Sequence, residues 1–162
     1  MTDDFTHMTH DADRTPTLWT DGAVSSLPIR TKTGCLWPGG WAVILRHEGA
    51  THRTAGYHRQ TNSQRMEMMA VVMALYQCRS RKLRGAVIYS NSDYCVKTLT
   101  EYAPKWTEKQ WAKRKNTDLV KEGLELITEI GAAVLWIPTG HNREAHTAAD
   151  IASRTVPIRA QS

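Results

Sequence analysis

Trp41-Ala42-Val43-Ile44-Leu45-Arg46-His47-Glu48-Gly49-Ala50-Thr51-His52-Arg53-Thr54-Ala55-Gly56-Tyr57 is the stretch whose reading decides the fold. Trp41 to His47 is rich in residues that favour a pleated backbone, and Thr51 to Tyr57 reads as a second such run. Glu48-Gly49 between them supplies a turn, so the two strands are predicted to pair antiparallel. Upstream, Leu18-Trp19-Thr20-Asp21-Gly22 reads as a short strand ending in a turn signal. Ser25 to Pro38, rich in Ser, Thr, Pro and Gly, reads as a loop. Downstream, the apolar period changes. Between Gln64 and Cys78, Met66, Ala70 and Met73 fall at i, i+4 and i+7, one face of a helix. Arg79, Arg81, Lys82 and Arg84 then complement the negative end of that helix, and Gly85 stops it.

The rest of the chain continues this alternation. Ala86 to Ser90 is a β-rich apolar run suited to a central strand. Asp93 to Tyr102 reads as helical, ended by Pro104. Thr117 caps a helix through Ile130, with Leu119, Val120, Leu124 and Ile127 facing inward. Ala132 to Ile137 is another strand. Glu144 to Arg154 is a last helix with Ala145, Ala148, Ala149 and Ala152 on one side. The order β-β-β-α-β-α-α-β-α predicts an α/β fold: a mixed five-stranded sheet flanked by helices. It is expected to occupy residues 17–156, between flexible tails at 1–16 and 157–162.

A chain of 162 residues with 41% hydrophobic and 23% charged residues suits one folded core and argues against disorder. No apolar run approaches the roughly 18 residues needed to cross a bilayer. The polar, acidic start, with Asp3, Asp4, Asp11 and Asp13, lacks the features of a secretory signal, so a cytoplasmic location is expected. Cys35, Cys78 and Cys95 are odd in number and scattered, which reads as reduced thiols rather than disulfides or a zinc site. The net charge of +5 points weakly to an anionic partner. Its distribution says more. Residues 105–115 hold Lys105, Lys109, Lys113, Arg114 and Lys115 against Glu108 alone, interleaved with Trp106 and Trp111. Cations that track phosphates beside rings that contact sugars or bases suit a nucleic-acid backbone.

Three acids occupy comparable places. Asp21 closes the first strand, Glu67 lies near the start of the first long helix, and Asp150 lies within the last. Sites in α/β sheets collect where strand ends meet helix starts. Carboxylates gathered there repel unless cations neutralise them. Oxygen-only ligands suit Mg²⁺ or Mn²⁺, and a pair of such ions can hold both the attacking and leaving oxygens of a phosphodiester displacement. Spacing permits this arrangement without proving it.

At these residues the sequence resembles the type 1 ribonucleases H. Thr20-Asp21-Gly22-Ala23 followed by Gly39-Gly40-Trp41-Ala42-Val43-Ile44-Leu45-Arg46 is similar to their first hairpin. Thr61-Asn62-Ser63-Gln64-Arg65-Met66-Glu67-Met68-Met69-Ala70 resembles the motif that opens a helix with the catalytic glutamate. Tyr89-Ser90-Asn91-Ser92-Asp93-Tyr94 resembles the third motif, with Asn91 where an aspartate is usual. Trp136-Ile137-Pro138-Thr139-Gly140-His141 and Ala149-Asp150-Ile151-Ala152 resemble the last two blocks.

The likeness runs from about Leu18 to Arg154. It implies the family's fold and two-Mg²⁺ cleavage of the RNA strand of RNA–DNA hybrids, with Mn²⁺ as the alternative metal, by a monomer. It implies metal ligation by Asp21, Glu67, the Asn91 position and Asp150, and assistance to catalysis by His141. It also implies hybrid contacts by Asn62, Ser63, Gln64, Asp93 and Asn116, and by a basic segment that includes Trp106, Trp111, Lys113 and Lys115. Minor-groove contacts of this polar kind suit recognition by shape and 2′-hydroxyl.

Asn91 is the main departure. A carboxamide offers one neutral oxygen where a carboxylate offers charge. Weakened metal binding and slowed turnover are expected, which makes the chain an inactivated or weakened nuclease. A natural hybrid-binding module on the same fold is the alternative, and takeover by Asp93 is a third reading. The segment 24–38 is longer than in compact bacterial members and the basic segment shorter. His146 stands where the family often has Asn, one turn before Asp150 on the same helix face; it reads first as a packing or exposed residue, with an approach to the metal site as the alternative.

Overall fold

The structure, a computed structural model, describes residues 14–155. Its strands are β1 (Thr17–Val24), β2 (Ile29–Thr31), β3 (Gly34–Leu36), β4 (Gly39–His47), β5 (Ala50–His58), β6 (Val87–Ser90) and β7 (Ala133–Trp136). Five of them form the main sheet, in the order β5-β4-β1-β6-β7. β1 pairs antiparallel with β4 and parallel with β6, so the sheet is mixed, as the sequence predicts. The helices are α1 (Ser63–Ser80), α2 (Asp93–Lys97), α3 (Glu108–Lys113), α4 (Thr117–Ile130) and α5 (Arg143–Arg154).

Leu18, Val43, Leu45 and Ile88 of the sheet pack with Met66, Ala70, Val71, Leu75 and Cys78 of α1 and with Leu119, Val120 and Leu126 of α4. On the other sheet face, Trp19, Ile44 and Ile137 meet Ala145 of α5. α4 buries Leu119, Val120, Gly123, Leu126 and Ile130, leaving the expected Leu124 and Ile127 at the edge of that face. Cys78 and Cys95 are buried and unpaired, as expected of inert thiols. Burial pushes them to about 11 and about 12, so neither ionises near neutral pH.

Several expectations change. The segment 25–38 is not a plain loop, because β2 and β3 form a hairpin beside the main sheet. Asp21 does not close β1, because pairing with β4 continues through Gly22↔Trp41 to Val24↔Gly39. The glycine that reads as a turn serves close packing. A Cβ on Gly22 would lie 2.3 Å from the backbone nitrogen of Glu67. The helix expected to Tyr102 is α-helical only to Lys97 and then widens into a π turn over Thr98–Tyr102. The basic segment contains α3, closed by a capping box between Thr107 and Gln110. α4 is preceded by Asn116 in the left-handed conformation, so Thr117 is its first residue rather than its cap. The tails expected at 1–16 and 157–162 fall largely outside the described residues. Thr15 and Pro16 are already held, accepting from the Thr17 hydroxyl and the Val87 N–H at 2.9 Å each.

Candidate active site and nucleic-acid groove

β1 and β6 are parallel neighbours with Thr20 opposite Ser90. Asn91 therefore follows alongside Asp21 at the carboxyl end of the sheet. The contact at Gly22 brings the first turns of α1 against β1 at the same level, which places Glu67 there as well. Asp21 is 3% exposed and accepts the Gly22 N–H at 2.8 Å.

Burial pushes the Asp21 carboxyl above the usual carboxylate range, against the opposing pull of the His146 and Gly22 hydrogen bonds. Burial also raises Glu67, and the charge of Asp21 raises it further, while the Ser92 hydroxyl donates to it and pulls the other way. The same hydroxyl accepts the Cys95 N–H at 3.2 Å and so caps α2. Two partly desolvated carboxylates, one raising the other, form a place where a cation is favoured.

The third and fourth positions behave differently. The Asn91 amide donates to Thr139 Oγ1 at 3.2 Å, and its backbone carbonyl accepts the Trp136 indole N–H at 3.2 Å. Asp150, half exposed, pairs with Arg154 at 2.9 Å across one helical turn. Among the described residues no three His, Cys, Asp or Glu side chains gather closely enough to hold a metal. Asp21 and Glu67 lie close enough for the charge of Asp21 to raise Glu67, whereas the Asp150 carboxylate is engaged by Arg154.

Sequence reasoning missed two residues. His146 is exposed, as expected, but its Nδ1 also forms a 2.7 Å hydrogen bond with Asp21 Oδ2, so it takes part in the site. Asn142, 1% exposed, donates to the Thr20 carbonyl at 2.8 Å and ties the start of α5 to β1 one residue before Asp21. An asparagine just before the helical period was the available signal for Asn142; for His146 it was its place one turn before Asp150 on the same helix face. The other histidine, His141, ends a 3₁₀ turn and lines a small cleft with Trp19, Arg46 and Glu144.

Beside the carboxylates, Gln64, Asp93, Trp106, Lys113 and Lys115 line one open groove of ≈ 360 Å³. Trp111 is not on its wall but meets Trp106 edge to face at 4.9 Å, and Arg114 lies over Trp106 at 5.1 Å. Asn62 caps α1 by accepting the Arg65 N–H at 2.9 Å, and Ser63 is exposed at the first helical position. Asn116 donates to the Tyr94 hydroxyl at 3.3 Å and accepts from Arg65 at 3.1 Å, which joins the groove floor to α1.

The RNase H family model matches residues 13–156. The chain belongs to the RNase H family. It is 32% identical over 108 residues to a ribonuclease H of Cyanothece sp., covering 66% of this chain and 64% of that protein, slightly under two thirds of its length. It is 30% identical over 150 residues to a ribonuclease H of Methylococcus capsulatus, covering 89% and 90%. Its fold matches that of LC11-RNase H1, solved in complex with RNA/DNA hybrid, with a TM-score of 0.66 at 21% identity over 85% of this chain and 96% of that one. No helix among the described residues is long and apolar enough to cross a membrane.

Proposed function

We propose that this chain is an endoribonuclease of the RNase H type, directed at the RNA strand of RNA–DNA hybrids and slowed by Asn91. The observation that carries this reading is the Asp21–Glu67 pair, both raised by burial and Glu67 further by the charge of Asp21, beside a basic groove with Trp106 on its wall. Asp21 and Glu67 would hold a divalent ion, Mg²⁺ or Mn²⁺, with the carbonyl oxygen of Asn91 and the carboxylate of Asp150 completing a two-ion site. Such ions supply charge stabilisation at the scissile phosphate and lower the pKa of a water that attacks it. The protein's own part is placement. Asn142 and the Gly22 contact fix the frame around Asp21, His146 holds the Asp21 carboxylate, and Ser92 holds Glu67. Gln64, Asp93, Asn62, Ser63 and Asn116 would meet the hybrid, and Lys113, Lys115, Trp106 and Trp111 would hold its DNA strand. His141 would assist at the phosphate. The chain is taken to act as a cytoplasmic monomer.

A hybrid-binding module without cleavage is the second reading. It draws on Asn91, which offers no charge, and on Asp150, whose carboxylate is engaged by Arg154. Asn91→Asp decides between them. Cleavage of labelled hybrid in Mg²⁺ or Mn²⁺, appearing or rising by at least about tenfold with duplex DNA and duplex RNA left intact, supports the nuclease. Unchanged hybrid binding without cleavage supports the module.

A further inference from the structure

We infer that the β2–β3 hairpin is a second nucleic-acid contact, gripping backbone phosphates beyond the carboxyl end of β1; the inference deepens the hybrid reading and rests on it.

The hairpin is built as a fixed arm. Its base is closed where the Ser25 N–H donates to the Pro38 carbonyl at 2.8 Å, and Ile29 is buried at 6% exposure. It is also tied to the segment that enters α1. The Thr61 N–H donates to the Trp37 carbonyl at 3.1 Å, and Gln60 Oε1 accepts the Trp37 N–H at 2.7 Å. The arm therefore leaves the end of β1, just beyond Asp21, and is anchored beside Asn62, the cap of the helix that carries Glu67. A strand that crosses those carboxylates and continues past the end of β1 would meet it.

Its surface chemistry suits that strand. Arg30 and Lys32 are exposed, and Trp37 is 43% exposed. No acid occurs anywhere from Gly22 to His47, a run of 26 residues that includes the whole arm. A long stretch with cations, an open ring and no carboxylate favours a polyanion over a protein surface of mixed charge. No residue of the arm lines the groove that holds Gln64, Asp93, Trp106, Lys113 and Lys115, so the two would grip the nucleic acid at separate points.

Binding of a fluorescent hybrid to the full chain in EDTA, read by anisotropy across a salt series, tests this. Arg30→Glu/Lys32→Glu is expected to weaken binding by at least about tenfold at low salt. The gentler Arg30→Gln/Lys32→Gln should lower the slope of log affinity against log salt by about two, roughly one for each phosphate no longer neutralised. Both side chains are exposed, so an unchanged melting temperature serves as the folding control. If the parent binds hybrid and both variants match its affinity and slope, the inference is overturned while the hybrid reading stands. If the parent binds duplex DNA as well as hybrid and the slope still falls, the hairpin contact is supported and hybrid selectivity is lost. Retention of polyglutamate with no hybrid binding overturns both.

Discussion

His146 Nδ1 lies 2.7 Å from Asp21 Oδ2, joining the exposed outer side of α5 to the most buried carboxylate of the site. Burial alone disfavours the charged form of Asp21, and this hydrogen bond is the largest of the opposing effects. Removing it should let the carboxyl climb further. In His146→Ala, the Asp21 side-chain carbon followed by NMR in metal-free buffer is expected to titrate at higher pH than in the parent. An unmoved titration would mean that the contact does not shape Asp21.

Glu67→Gln should stabilise the metal-free protein. Glu67 is raised by burial and then by Asp21, so its folded pKa lies above its unfolded value. An acid raised on folding binds more protons in the native state, so stability falls as pH climbs from the ordinary glutamate range through the folded value. Gln removes that loss and one side of the repulsion. We expect the variant to melt higher at pH 7, by about 2–4 °C if the gain is about 1 kcal/mol. The difference should vanish near pH 3, where both carboxylates are protonated. Calorimetry at the two pH values in EDTA checks this.

Divalent ions should stabilise an Asn91→Asp protein more than the parent, because binding to the native state alone raises the melting temperature. Arg154→Ala in that background should strengthen the response by freeing Asp150. The Asp150–Arg154 pair is half exposed, and pairs of that kind are worth about 0.2–1 kcal/mol, so an increase in Mn²⁺ affinity of at most about fivefold is expected. Titration calorimetry with Mn²⁺ measures it. Equal heats in the single and double variants would place Asp150 outside the metal site.

The layering was legible because hydrophobic period reports which face is buried. The hairpin Glu48-Gly49 and the inward methionines of α1 were readable for that reason. The β2–β3 hairpin was hidden because three-residue strands built from Ile29-Arg30-Thr31 and Gly34-Cys35-Leu36 have too few positions to display a period. Within the site, Asp21 and Glu67 could be picked out by type and place. The His146–Asp21 contact could not, since it spans 125 positions and depends on how α5 seats on β1. Asn142 and Gly40 set that seating: a Cβ on Gly40 would lie 2.4 Å from the Ser153 nitrogen. A lone glycine in a strand suits a turn and a close approach equally well, so sequence alone does not tell which role Gly22 fills.

Gly22→Ala separates those two roles of glycine. The added Cβ would sit 2.3 Å from the Glu67 nitrogen and 2.3 Å from the Met66 carbonyl carbon, both backbone atoms of α1. No flexible side chain stands there to move aside, so β1 and α1 must part. Overpacking of this kind costs about 1–3 kcal/mol or more. Gly131→Ala is the control. Gly131 closes α4 in the left-handed region at φ +66° with nothing within 4 Å of an added Cβ, so its cost is backbone strain alone, about 1 kcal/mol. Denaturant unfolding should rank Gly22→Ala as the more damaging. The decisive difference is at the site: parting β1 from α1 moves Glu67 away from Asp21, so the Glu67 titration should fall back towards the ordinary glutamate range in Gly22→Ala and stay put in Gly131→Ala. Equal titrations in both variants would show that the glycine contact does not set the spacing of the two carboxylates.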